Sequence, residues 1–132
     1  MLFRSEVFIA DYNNRRLRRY TGTGTILMQW GSGGIGEFYQ PIGVATDAVG
    51  HVFVADSGND RIQEFTWDGD YVGGWGSTGD GDGEFNNPLG LATDADGNLY
   101  VADQANNRIQ KFGQTQTPTK TASWGRIKKL YR

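Results

Sequence analysis

The sequence predicts an all-β chain built from repeated four-stranded antiparallel sheets, and three observations carry that prediction. An apolar run ending in aspartate recurs as VFIAD (7–11), VFVAD (52–56) and LYVAD (99–103), with the aspartates 45 and 47 residues apart. Other landmarks keep the same period: Trp30-Gly31 with Trp75-Gly76, Gly36-Glu37-Phe38 with Gly83-Glu84-Phe85, and Pro41-Ile42-Gly43 with Pro88-Leu89-Gly90. Glycine is the commonest punctuation, with 20 residues against three prolines, so short apolar segments alternate with turns throughout the chain.

The second copy shows the order of elements. GVATD (43–47) is a first strand, Ala48-Val49-Gly50 turns the chain, and VFVAD returns without polar alternation, as a strand covered on both faces does. Ser57-Gly58-Asn59-Asp60 makes the next turn, RIQEFTW (61–67) the third strand, Asp68-Gly69-Asp70 the third turn and YVGGW (71–75) the outer strand. Four strands in one period, each sheet hiding its faces against the next, describe β-propeller blades.

At these residues the chain resembles the NHL-repeat family. PLGLATD (88–94), GNLYVAD (97–103) and NNRIQKF (106–112) follow that family's pattern almost position for position. The resemblance implies a closed propeller, usually of about six blades. This chain departs from it, holding three, four and four strands in successive copies: a partial blade at 7–31 and blades at 41–76 and 88–125, with residues 1–124 as the repeat region and 125–132 as a short basic tail. The expected molecule is therefore an incomplete ring. A fragment of a longer propeller is the favoured account, with assembly of copies or an open arc, self-associating through exposed blade edges, as the alternatives. In the tail, Trp124-Gly125 echoes the end of an outer strand, and Ile127, Leu130 and Tyr131 have the spacing of one amphipathic helical turn; a frayed, solvated end is favoured.

Composition narrows the function classes. Cysteine is absent, which excludes disulfides and thiolate metal sites, and no apolar run reaches the roughly 18 residues that a membrane-spanning helix requires. Between residues 21 and 113, 13 acidic side chains face only Arg61, Arg108 and Lys111, and such a body repels phosphate. The basic groups crowd the two ends. NNRRLRRY (13–20) should alternate Arg16 and Arg18 with Arg15 and Arg19 across a strand, which leaves RNA binding by a basic propeller face as a minor alternative.

The repeated Asp, Asn and Arg (Asp11, Asn14, Arg16; Asp56, Asn59, Arg61; Asp103, Asn106, Arg108) occur in every copy. With Asp and Arg five apart across a tight turn they should pair within a blade, Asn taking the left-handed turn position, and so serve the fold. Asp80, Asp82 and Glu84 alternate with glycines and are a weak calcium candidate, since the sixth-position glycine and distal glutamate of a calcium loop are missing; a solvated turn is favoured and no metal is expected. His51 is the single histidine and stands where the next copy has Asn98, so a polyhistidine zinc site cannot form. Some NHL-like propellers are metal-dependent lyases, but their histidines find no counterpart here, and the chain is expected to be neither an enzyme nor a cofactor binder. The sequence instead suggests a non-catalytic scaffold that recognises protein, peptide or glycan. Tyr12, Tyr39 and Gln104, which vary at equivalent rim positions, are the expected ligand contacts.

Overall fold

The computed structural model describes residues 5–31, 37–113 and 129–131. Three antiparallel sheets follow one another along the chain. The first holds β1 (Glu6–Asp11), β2 (Arg16–Thr21) and β3 (Ile26–Trp30). The second holds β4 (Pro41–Thr46), β5 (His51–Asp56), β6 (Arg61–Thr66) and β7 (Tyr71–Trp75). The third orders β8 (Pro88–Thr93), β9 (Leu99–Asp103), β10 (Arg108–Gly113) and β11 (Lys129–Tyr131) as a meander. These are propeller blades, and three of them leave the ring incomplete, as the sequence predicts.

Register repeats with the sequence. Asp11 faces Arg16, Asp56 faces Arg61 and Asp103 faces Arg108 at the closed end of each second hairpin. An irregularity between Pro41 and Val44 recurs between Pro88 and Leu91, so even the local break in the innermost pairing belongs to the repeat.

Period-two alternation puts the apolar run of β5 to use on both faces. Val52 and Val54 pack with Leu17, Phe38 and Phe65 against the first blade, with Phe8, Ala10 and Trp30 at the margin. Phe53 and Ala55 point the other way, joining Ile62, Phe85, Leu99, Val101 and Phe112 against the third. Each junction is closed by a phenylalanine from the loop entering the next blade: Phe38 lies 5.6 Å from Phe65, and Phe85 5.8 Å from Phe112. Gly31 and Gly76, both at φ +105°, run directly beneath these rings, where a Cβ would collide with them. The repeated Trp-Gly dipeptide is thus a seat for the loop phenylalanine.

Inner strands converge toward one side of the arc. A Cβ on Gly43 of β4 would strike the Leu89 carbonyl oxygen of β8, and Thr93 Oγ1 donates to the Thr46 carbonyl at 2.6 Å. At the two ends of the arc, blade faces stay uncovered. Val7 and Ile9, about half exposed, stand in the first blade where Val52 and Val54 are buried in the second. In the third blade, Tyr100, Ala102 and Ile109 line an open apolar hollow of about 280 Å³.

The tail departs from the expected helical turn or frayed end. Lys129–Tyr131 form β11 and pair with Lys111–Gly113, giving the third blade its outer strand. The free N–H and C=O groups along the edge of β10 account for this, because an unpaired edge recruits any segment long enough to reach it. Trp124-Gly125, expected to begin that strand, lies outside the described residues.

Candidate functional site

An antiparallel meander sorts its connections onto two rims. On one rim lie the turns between second and third strands and the loops that enter each new blade; on the other lie the remaining turns. The sequence-predicted ligand residues Tyr12, Tyr39 and Gln104 all fall on the first rim.

The Asp-Asn-Arg set organises that rim. Asp56, fully buried, accepts hydrogen bonds from Tyr39 N–H (2.7 Å), Asn59 Nδ2 (3.0 Å), Arg61 Nε (2.7 Å) and Gln63 Nε2 (3.0 Å). Asp103 repeats this with Asn86 N–H, Asn106, Arg108 and Gln110. In the first blade Asp11 holds Arg16 and Asn14 alone among the described residues, and both Asp11 and Arg16 are about a quarter exposed. The Arg16 and Asn14 hydrogen bonds still draw the Asp11 carboxyl below its ordinary value. One detail differs from expectation: the left-handed residue of each turn is Arg15, Asp60 or Asn107, at φ 50–53°, and the preceding asparagine instead donates to the aspartate.

Between the first and second blades this rim opens into a cavity of about 320 Å³ lined by Arg15, Glu37, Phe38, Tyr39, Asn59 and Arg61. The Arg15 guanidinium sits 4.8 Å over the Tyr39 ring. Of the predicted contacts, Tyr39 lines this cavity, Tyr12 is exposed nearby in the same turn as Arg15, and Gln104 lies at the next junction, where its Oε1 accepts from Asn87 Nδ2 at 3.0 Å. Arg15 was not among the expected contacts because period-two counting set it on a strand face, whereas β2 begins only at Arg16 and Arg15 lines the cavity. Comparing position 15 with Asp60 and Asn107 supplies the signal.

The other arginines of that segment are engaged. Arg19 forms two hydrogen bonds to Glu6 and one to the Trp67 carbonyl, Arg16 is tied to Asp11, and Arg18 Nη1 donates to Tyr20 Oη. In the Gly/Asp loop, Glu84 Oε1 accepts from Gly81 N–H, while the carbonyls of Asp80, Gly81 and Glu84 accept from Arg108. Glu84 Oε1 and these carbonyls thus serve the loop itself, and no cluster of three or more potential ligands occurs among the described residues.

On the opposite rim, Asp47 folds the turn into β5 by accepting from Val49 and His51 N–H, and its Oδ2 lies 2.7 Å from His51 Nδ1. Asp94 does the same with Asn98 in the third blade, and the Asn98 side chain leads the hydrogen bonds that hold the Asp94 carboxyl down at about 2. His51 is therefore a structural relative of Asn98, beside a shallow hollow of about 690 Å³ that also includes Thr66, Trp67 and Asp68. The Asp47 hydrogen bond raises the His51 pKa above 6.5; burial opposes it, and the charges of Asp47 and Glu64 add to it. Burial disfavours the charged Asp47, but hydrogen bonds from His51 outweigh it and leave the carboxyl below 3.8. The His51 contribution is full below pH 6.5 and fades as pH rises through the higher folded value; that of Asp47 is present above 3.8 and fades as pH falls through the lower one. Proton NMR should find a His51 midpoint above 6.5, and His51→Asn, which copies the third blade, should remove the loss of stability on the alkaline side. A midpoint at or below 6.5 would contradict the pairing.

With the geometry established, the relatives can be placed. A model of the NHL repeat matches residues 38–65 and 85–112. The chain carries NHL repeats. No curated protein matches the sequence. Among solved structures, the NHL arc is similar to a streptogramin B lyase, at 16% identity and a TM-score of 0.65, covering 82% of this chain and 34% of that one. It is also similar to selenomethionine-substituted virginiamycin B lyase from Staphylococcus aureus, at 19% identity and a TM-score of 0.60, covering 88% of this chain and 39% of that one. A catalytically inactive histidine-to-alanine form of the latter with Quinupristin gives 19% identity, a TM-score of 0.64 and the same 88% and 39% coverage. The chain thus spans between a third and two fifths of the structures it matches, and identities this low show the fold alone.

These neighbours correct one expectation. The chain was expected not to be an enzyme, whereas the solved propellers whose fold it shares are lyases. The expectation rested on the lone His51. Counting histidines within three blades is a poor test when the neighbouring propellers are more than twice as long.

Proposed function

We propose that this NHL arc is the ligand-recognition part of a propeller, and that it holds a peptide on the rim formed by its blade-entry loops. The observation that carries the reading is the cavity at the first junction, where Arg15 stacks on Tyr39 beside Asn59 and Arg61. Repeated side chains such as Asp56 are consumed by the fold, whereas Arg15 and Tyr39 depart from the repeat and face solvent-accessible space. Concave sites lined by an aromatic and a few convergent polar groups are the usual form of a binding site. The rigid stacked blades fix those groups without requiring them for folding.

The test is selection of random heptapeptides against the immobilised chain, followed by affinity measurement on Tyr12→Ala, Tyr39→Ala and Gln104→Ala variants. Tyr39→Ala is expected to weaken binding at least tenfold, Tyr12→Ala less, and Gln104→Ala least, because Gln104 belongs to the next junction. Peptides that bind all three variants as tightly as the parent would place recognition elsewhere.

A second reading follows from the lyase neighbours: recognition here serves catalysis in a complete propeller. Quinupristin, the compound bound in one neighbour, is the natural probe. Its conversion by the chain, followed by liquid chromatography, would favour this reading; unchanged Quinupristin would leave ligand recognition as the activity of these three blades.

A further inference from the structure

The described parts of the two blade junctions share their turn and entry-loop backbone but differ in charge at the left-handed turn position, which is Asp60 at one and Arg15 at the other. Where the second blade meets the third, Asp60 stands at the left-handed position of its turn and Oδ1 accepts from Asn87 N–H at 2.7 Å, while Oδ2 accepts from Thr78 Oγ1 at 2.7 Å. Asn87, itself left-handed at φ 58°, presents its N–H because the chain bends sharply just before Pro88. Where the first blade meets the second, Gln40 repeats that bend at φ 55° before Pro41, but the turn position equivalent to Asp60 is held by Arg15, beside the neighbouring Tyr39. A guanidinium has no acceptor to offer. The Gln40 N–H therefore lacks the carboxylate that its counterpart has, and no acceptor for it occurs among the described residues.

Two further donors are left over at the same place. The Arg15 guanidinium makes its ring contact with Tyr39 and has no hydrogen-bond acceptor among the described residues. Arg61 commits Nε to Asp56 and Nη2 to the Glu37 carbonyl, and Nη1 has no acceptor among the described residues. Its counterpart Arg108 is more heavily engaged, with Nη1 donating to the Asp80 carbonyl and Nη2 to those of Gly81 and Glu84. Arginine is also a poor choice for a left-handed position, where asparagine and aspartate are at home, so Arg15 is retained against local preference.

We infer that this cavity binds a carboxylate of a peptide ligand, whose oxygens take the place that Asp60 fills at the next junction, accepting from the Gln40 N–H, Arg15 and Arg61 Nη1. A carboxylate fits the planar, forked donor geometry of a guanidinium. Arg15 and Arg61 outnumber Glu37 in the cavity lining, which suits a single negative charge, while the acidic body around it repels a polyanion such as RNA. The inference rests on the rim being the ligand-binding surface and specifies what that surface reads.

The experiment uses the ¹⁵N-labelled chain with N-acetylphenylalanine as probe, N-acetylphenylalanine amide as its uncharged match, and methyl phosphate as the alternative anion. The acid is expected to move the Gln40 amide proton downfield, toward the position of Asn87, and to bind at least tenfold more tightly than the amide. Arg15→Asp should rebuild the Asp60 arrangement: the Gln40 resonance should start downfield, the response to the acid should vanish, and the melting temperature should not fall. Arg15→Asn, matching Asn107, keeps the test available if the aspartate variant folds poorly; it should lose most of the acid response while retaining the native spectrum. A Gln40 amide that ignores the acid, or answers the amide equally, would overturn the inference, and a stronger response to methyl phosphate would overturn the carboxylate assignment. If selected heptapeptides still require Tyr39 but bind equally well with amidated termini and no acidic side chain, the carboxylate site fails while the rim reading stands. If they ignore Tyr39 altogether, the rim reading itself has failed.

Discussion

Replacing Asp103 with alanine is expected to destabilise the chain by about 3–5 kcal/mol, enough to unfold much of a marginally stable arc at ambient temperature. The carboxylate is fully buried and accepts from Asn86 N–H, Asn106 Nδ2, Arg108 Nε and Gln110 Nε2. Removing it takes one of the two acceptors from the wholly buried Gln110 amide, whose other bond runs to the Glu84 carbonyl, and leaves Arg108, whose side chain is 14% exposed, without its countercharge. Much of the cost lies in those abandoned partners rather than in the ion pair itself. The same change at Asp11 should cost far less, because that carboxylate is partly exposed and holds Arg16 and Asn14 alone among the described residues. Urea denaturation of the two variants side by side is the check, and equal losses would show that the repeated aspartate is not acting through its buried hydrogen bonds.

Phe85→Ala should be comparably severe, at about 3–5 kcal/mol. Its ring is completely buried at the centre of the second junction, packed beside Phe112 and over Gly76, and it reaches there from a loop rather than a strand. The backbone around it is fixed in turn, with Phe85 N–H donating to the Ser77 carbonyl and its own carbonyl accepting from Gly79 N–H, so the loop cannot collapse readily into the space left behind. Ile109→Ala is the matched control. Ile109 is 54% exposed on the uncovered face of the third blade, and its loss should fall within about 0.5 kcal/mol. Were the two variants to melt together, the loop phenylalanine would not be the element joining the blades.

Most of the fold was legible in the sequence because a repeat states each packing solution more than once. The unalternated run of β5 implied two covered faces, and the five-residue spacing of Asp56 and Arg61 implied facing positions on one hairpin; both arrangements are present. The outer strand of the third blade was not legible, since Lys129–Tyr131 carries no repeat signal and joins the sheet through backbone pairing that any sequence can supply. The site was legible only in part. Tyr39 stands out as a departure from the repeat and does line the rim cavity. Gln104 departs equally but is hydrogen-bonded to Asn87, a contact across 17 residues that no local pattern announces. Arg15 was hidden by its neighbours: in a run of four nearby arginines, only its left-handed backbone separates it from Arg16, Arg18 and Arg19, which are bound within the blades.

The central claim is that ligand recognition belongs to the rim of blade-entry loops at the first junction. Amide chemical-shift mapping with the tightest selected heptapeptide tests it most directly. The perturbed amides should concentrate in residues 12–15, 37–40 and 57–61. Perturbations gathered instead on the opposite rim, at 47–51 and 66–68 around His51 and Trp67, would contradict it.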